Sequence, residues 1–121
     1  MADSVSEFQD RTVAVTATIA NGESLSAAVV LKGAGLLRLI TPAAWTAANL
    51  TFQFSHDGVT YNNLYDEFGS EVTVTAAASR SIRVSSPEWA GLRWIKVRSG
   101  TAGAPVAQGA ARDIILIVES V

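Results

Sequence analysis

From Arg11 to Ala20 the chain alternates between Val13, Val15, Ala17 and Ile19 on one parity and Thr12, Thr16 and Thr18 on the other. A period of two with β-branched residues predicts a half-buried strand. The same period places Leu50, Phe52 and Phe54 against Thr51, Gln53 and Ser55, and recurs at Val72 and Val74 and at Ile82 and Val84. Further strands are expected at Ser26 to Leu31, Leu36 to Ile40, Thr60 to Tyr65 and Leu92 to Ser99. The last, Asp113 to Glu119, encloses the unbroken apolar run Ile114 to Val118, which predicts a strand covered on both faces. Turn signals separate these runs: Asn21-Gly22, Lys32-Gly33, Asp57-Gly58, Gly69-Ser70, Ser99-Gly100 and Gly103 to Pro105. Many short strands with frequent turns predict an all-β fold, an antiparallel β-sandwich of jelly-roll type.

Two interruptions share one pattern. Thr41-Pro42-Ala43-Ala44-Trp45 and Ser86-Pro87-Glu88-Trp89 each set a hydroxyl before Pro, the arrangement of a helix N-cap followed by the first helical position. Each follows a strand carrying an Arg, Arg38 or Arg83. One or two short helical turns are therefore expected, with each Trp closing one end of the core.

The chain has 121 residues, enough for one core, so residues 11 to 121 are read as a single domain. Residues 1 to 10 carry Asp3, Glu7 and Asp10 without periodicity and are expected to form a flexible arm, ordered only by a neighbour. Hydrophobic residues make up 49% and charged residues 17%, a composition that excludes a disordered chain. Much of the apolar content is alanine, so a thin core is expected. The net charge of −2 with scattered Lys and Arg argues against nucleic acid as a partner. Absence of a long apolar run argues against a membrane span or a signal segment. The lack of Cys removes disulfides and thiolate chemistry and fits a protein made in the cytoplasm.

Candidate chemistry is sparse, and the expectation is a binding protein without cofactor or catalytic residues. Ser55-His56-Asp57 has the residue types of a hydrolytic triad, but on an extended segment His56 points away from its neighbours, so a hairpin tip at Asp57-Gly58 is the better reading. One His and no Cys cannot build the usual zinc set. Asp57, Asn62, Asn63, Asp66 and Glu67 match no established Ca²⁺ loop and read as loop carboxylates and amides. A small hydrolase would need an acid and base to converge among Asp57, Asp66, Glu67 and Glu88, and no pair is singled out. Trp94 shares the parity of Lys96 and Arg98 and stands beside Arg93. These four, with Phe8 from the arm, are candidate interface residues, because Trp and Arg dominate binding energies. Alternatively, Trp94 is covered by a loop or by the arm of its own chain, and the charges form an ordinary solvated face.

The stretch from Leu39 to Gly58, Leu-Ile-Thr-Pro-Ala-Ala-Trp-Thr-Ala-Ala-Asn-Leu-Thr-Phe-Gln-Phe-Ser-His-Asp-Gly, resembles small virion proteins of tailed bacteriophages, prophages and gene transfer agents. So does Ile95-Lys96-Val97-Arg98-Ser99-Gly100-Thr101, followed by Pro105-Val106-Ala107-Gln108 and Arg112. The resemblance spans Leu36 to Val118 and rests on turn and core signatures. It implies a β-sandwich or jelly-roll structural protein, a head decoration or cement protein located in the virion and bound to the major capsid protein or another virion protein. A homo-oligomer, such as a trimer at local threefold positions, would suit that role. Ser55-x-Asp57-Gly58-x-Thr60-Tyr61 also resembles a hairpin of discoidin-type carbohydrate-binding jelly rolls. A glycan- or receptor-binding module of a tail or fibre is therefore the alternative, with Trp45, Tyr61, Asn62 and Tyr65 as its candidate contacts.

Overall fold

In the computed structural model, residues 11–84, 89 and 91–119 are described. The strands are β1 (Thr12–Ile19), β2 (Val29–Val30), β3 (Gly35–Ile40), β4 (Leu50–Ser55), β5 (Asn62–Asn63), β6 (Ser81–Arg83), β7 (Trp94–Ser99) and β8 (Arg112–Glu119). They form two four-stranded antiparallel sheets, ordered β1-β8-β3-β6 and β2-β7-β4-β5.

That order has a simple origin. If strands one to four are laid against strands eight to five as one long hairpin, the pairs are β1 with β8, β2 with β7, β3 with β6 and β4 with β5. All four pairings are present, and rolling the hairpin adds β8 to β3 and β7 to β4. Alternate pairs thus fall in opposite sheets. This is the jelly-roll arrangement, and the molecule is an antiparallel β-sandwich.

The core lies between the sheets. From the first sheet come Ala17, Ile19, Leu36, Leu39, Ile114, Leu116 and Val118, and from the second Val29, Leu50, Phe52, Ile95 and Val97. Alanine contributes little to it, because most of the Ala content lies in exposed connections; Ala17 and Ala34 are the exceptions. Trp89 is buried and meets Phe52 edge to face at 4.6 Å and 85°. Trp45 packs against the same core from the β3–β4 connection. Both indoles therefore have the packing role expected of them.

Three expectations need correction. Thr41 to Trp45 forms bends and no helical turn. The Thr41 hydroxyl, rather than capping Pro42's turn, donates to the Ala77 carbonyl at 2.6 Å and accepts from the Arg80 amide at 2.9 Å, while Ser79 donates to the Pro42 carbonyl. A distant loop outcompeted the local cap. Ser86 to Glu88, the second such segment, lies outside the described residues, as does the arm with Phe8. The segment 72–74 forms single bridges and no strand, since Val74 exchanges hydrogen bonds with Leu50 only at the end of β4. Finally, β8 is not closed on both sides: Ile115 and Ile117 point outward and remain partly exposed.

The chain also contains a bulge that parity alone misreads. In β3, Leu36 pairs with Val118 and Arg38 with Ile117, so one residue, Leu37, is extra. The extra residue reverses the alternation. Leu36 and Leu39 both face the core, and Arg38 is turned outward instead of sharing Leu36's side.

Candidate functional site

The outer face of the β2-β7-β4-β5 sheet carries Trp94, Lys96 and Arg98, which are partly or wholly covered, whereas Arg93, just before β7, is exposed. Outward-facing Arg98 is only 7% exposed. Its Nη2 donates to Asn63 Oδ1 at 2.7 Å, and its Nη1 donates to Thr51 Oγ1 at 3.2 Å and to Glu71 Oε2 at 3.3 Å. Glu71 in turn accepts from the Ala102 amide at 3.1 Å, and Thr51 donates to the Gly100 carbonyl at 2.7 Å. Two loops, one through Glu71 and one through Ala102, are thereby tied over β4 and β7. A guanidinium needs several acceptors when it leaves water, and here they are supplied by three side chains.

The neighbouring cations are also engaged. Lys96 Nζ stands 4.3 Å above the Tyr61 ring and the Arg93 guanidinium 5.3 Å from the Trp94 ring centre, both within cation–π range. Trp94 lies against Gly58, where a Cβ would stand 3.0 Å from Cε2. The 56–61 loop therefore covers this indole, which is the alternative reading of Trp94.

That loop is held by its own polar side chains. Ser55 Oγ donates to Asp57 Oδ1 at 2.9 Å and accepts from the Gly58 amide at 2.8 Å. Asp57 Oδ1 accepts the amides of Val59 at 2.8 Å and Thr60 at 2.9 Å. The Thr60 and Val59 amides, then the Ser55 hydroxyl, hold the Asp57 carboxyl down to about 2 from 3.8. His56 is exposed and makes no bridge between Ser55 and Asp57, so the trio serves as a turn.

The remaining polar candidates are similarly used. Asp66 Oδ1 accepts from the amides of Phe68 at 2.9 Å and Ser70 at 3.0 Å, and Asn63 Oδ1 from Arg98. Among the described residues no three His, Asp or Glu side chains converge as a metal set. The candidate glycan contacts are not gathered in one place. Trp45 precedes the start of β4 and donates Nε1–H to the Ala48 carbonyl, whereas Asn62 pairs with Phe54 near the other end of that six-residue strand, with Tyr61 next to it. Tyr65 leaves β5 in a further loop and bridges Glu71.

Sequence reasoning passed over Gln108, although it falls inside the stretch that carries the resemblance. It is buried, its Oε1 accepts the Thr46 amide at 2.9 Å and Arg112 Nε–H at 3.1 Å, and its Nε2 donates to the Thr46 carbonyl at 3.0 Å. Its own backbone bonds Gly22 and Glu23. Gln108 thus fastens three connections at one end of the sandwich, and no local pattern announces such a role.

The outer face of the β1-β8-β3-β6 sheet is built differently. Register aligns Ala14, Ile117, Arg38 and Arg83 in one row across the four strands, and Thr16, Ile115, Ile40 and Ser81 in the next. Arg38 and Arg83 stand directly opposite each other, both exposed, and among the described residues neither has a carboxylate within ion-pair distance. Like charges in that position oppose pairing by roughly 0.2–1 kcal/mol. Three partly exposed isoleucines adjoin them. The isoleucines and the arginine pair form an apolar and cationic patch in the β8-β3-β6 part of the face, while Thr12, Thr16 and Thr18 line its β1 side and Asp113 and Glu119 stand at the two ends of β8; such a patch accepts carboxylates beside apolar groups. At the adjoining edge, Val13, Val15, Val30, Leu31, Ala34 and Val118 line a cleft of about 480 Å³ between the sheets. No family model, curated protein or solved structure matches the chain.

Proposed function

We propose that this chain is a virion structural protein, a head decoration protein that binds the capsid surface and stabilises the shell. The observation that carries the reading is the outer face of the β1-β8-β3-β6 sheet, where partly exposed Ile40, Ile115 and Ile117 adjoin an arginine pair with no neutralising carboxylate among the described residues. The resemblance of Leu36 to Val118 to phage virion proteins and the jelly-roll strand order, which recurs in capsid and lectin domains, support it. A rigid sandwich with one such face suits docking in many copies. Each contact can be weak, because a lattice or a homotrimer presents several at once and the second binding event is then intramolecular. The partner is the major capsid protein or another virion component.

The test mixes purified protein with capsids that lack it, followed by sedimentation. Saturable, stoichiometric co-sedimentation is expected, with a rise in the capsid's melting temperature. Protein that stays in the supernatant at every concentration would sink the reading.

Glycan binding is the second reading, favoured by the adjacency of half-exposed Tyr61 and exposed Asn62 at one strand end. A glycan array signal lost on Tyr61→Ala, with capsid binding absent, would replace the first reading by this one.

A further inference from the structure

We propose that in the isolated protein the outer face of the β1-β8-β3-β6 sheet is the docking surface for the chain's own N-terminal segment, residues 1–10. The inference does not depend on the decoration reading, since it concerns the protein free in solution. Three observations carry it.

The first is charge. Arg38 and Arg83 oppose each other across β3 and β6 without a carboxylate partner among the described residues. Residues 1–10 contain three carboxylates, Asp3, Glu7 and Asp10, and no Lys or Arg. Carboxylates placed beside the arginines would turn a like-charge repulsion into charge-assisted hydrogen bonds.

The second is apolar chemistry. The same face presents Ile40, Ile115 and Ile117, partly exposed, in two adjacent rows. The segment supplies Val5 and Phe8, its apolar side chains beyond Met1 and Ala2. The bulge at Leu37 matters here, because it is what turns Arg38 onto this face between the isoleucines.

The third is where the segment joins. Residue 10 precedes Arg11, which leads directly into β1 at the edge of this sheet. An extended residue spans about 3.3–3.6 Å, so Glu7, four positions before Arg11, reaches roughly 13 Å. Arg38 lies two inter-strand spacings, about 10 Å, across the sheet and three residues, about 10 Å, along it from Arg11, about 14 Å in all, so with its side chain Glu7 can reach Arg38, and Asp3, four residues earlier, can reach Arg83. Glu119, exposed in the row of Thr12, repels carboxylates at the near edge and favours their placement farther across the sheet.

The chain has no Cys, so Ser4→Cys gives a single attachment site for a nitroxide spin label. In ¹⁵N-labelled full-length protein we expect selective loss of amide intensity at Arg38, Arg83, Ile115 and Ile117, reversed when the nitroxide is reduced. The loss should weaken with added salt and disappear in the Arg38→Glu/Arg83→Glu variant, whose exposed substitutions leave the core untouched. A companion sample mixes unlabelled-nitroxide ¹⁵N chains with spin-labelled ¹⁴N chains, and there the loss should be absent. The proposal is overturned by uniform or absent broadening, by broadening centred on Val13, Val30 and the adjoining cleft, by broadening that appears in the mixed sample, or by persistence in the double variant.

Discussion

On the outside of the β2-β7-β4-β5 sheet, Lys96 and Arg98 each meet a partner, respectively the Tyr61 ring and Glu71, and two loops are tied across Arg98. On the outside of the β1-β8-β3-β6 sheet, Arg38 meets Arg83, and three isoleucines stand partly in water. Both faces belong to outward-pointing residues of regular strands. What separates them is loop traffic: the connections around Glu71 and Ala102 are tied over one sheet, whereas among the described residues no connection bonds the side chains of Arg38 and Arg83 on the other. An outward position is therefore an interior position when a loop returns over it, and a cation there becomes part of the scaffold. A binding surface is to be sought where that return does not happen.

Removing the guanidinium that holds the loop cover is the severest way to break this contrast. Arg98→Ala leaves the mostly buried Glu71 carboxylate without its ion pair, and should cost about 3–5 kcal/mol in urea unfolding. Replacing Glu71 by Leu in the same chain should recover part of it, since the orphaned charge is then gone. A loss below about 1 kcal/mol for Arg98→Ala would mean that the loops hold themselves.

Gly100→Ala attacks the same cover from the backbone. Gly100 sits at a φ of 87°, and a Cβ there would stand 2.5 Å from the Ala104 carbonyl oxygen and 2.7 Å from the Val106 nitrogen. Both are backbone atoms and cannot swing aside, so a loss of about 2 kcal/mol or more is expected. Chemical shift changes should centre on 101–106 and on Arg98.

A change on the open face should act in the opposite direction. In a background with Asp3→Asn and Glu7→Gln, where the arm brings no carboxylate to this face, Arg83→Glu converts the like-charge pair with Arg38 into an attractive one, and should raise stability by roughly 0.2–1 kcal/mol at low salt. If the variant is destabilised instead, a partner for Arg83 already exists and the contrast between the faces is smaller than drawn.

The smallest effect concerns the turn over Trp94. The carboxyl of Asp57 is held at about 2, below its ordinary 3.8, by the Thr60 and Val59 amides and the Ser55 hydroxyl. A depressed folded-state value gives a contribution that is complete above 3.8 and is lost as pH falls through about 2. Asp57→Asn keeps an amide acceptor but removes the proton linkage, so the stability profile over that window should flatten. Unchanged slopes in wild type and variant would show that the carboxylate is not coupled to folding.

Much of the scaffold was legible in the sequence. Alternation in Thr12–Ile19 and Leu50–Ser55 located β1 and β4 almost to the residue, because strand periodicity is a local property and one face of each must be buried. The turns at Asp57-Gly58 and Lys32-Gly33 were legible for a similarly local reason: both glycines, and Lys32 as well, take positive φ. The candidate interface on β7 was legible only as a parity. Parity placed Trp94, Lys96 and Arg98 together on the outside, and could not register that Asn63, Glu71 and Tyr61 would come back over them from elsewhere in the chain.

By itself, then, the order of residues determined that this protein is built of short strands, where most of them lie, and, in β1 and β4, which side chains turn inward, since each depends on neighbours two positions apart. Tertiary structure alone decided the rolled pairing of β1 with β8 and β4 with β7, the one-residue slip that exposes Arg38, and the choice of which outer face stays open. Those features rest on contacts between segments tens of residues apart, and the closure of the two sheets over a common core selects among them. The same alternation would serve several pairings, and only packing distinguishes one from another.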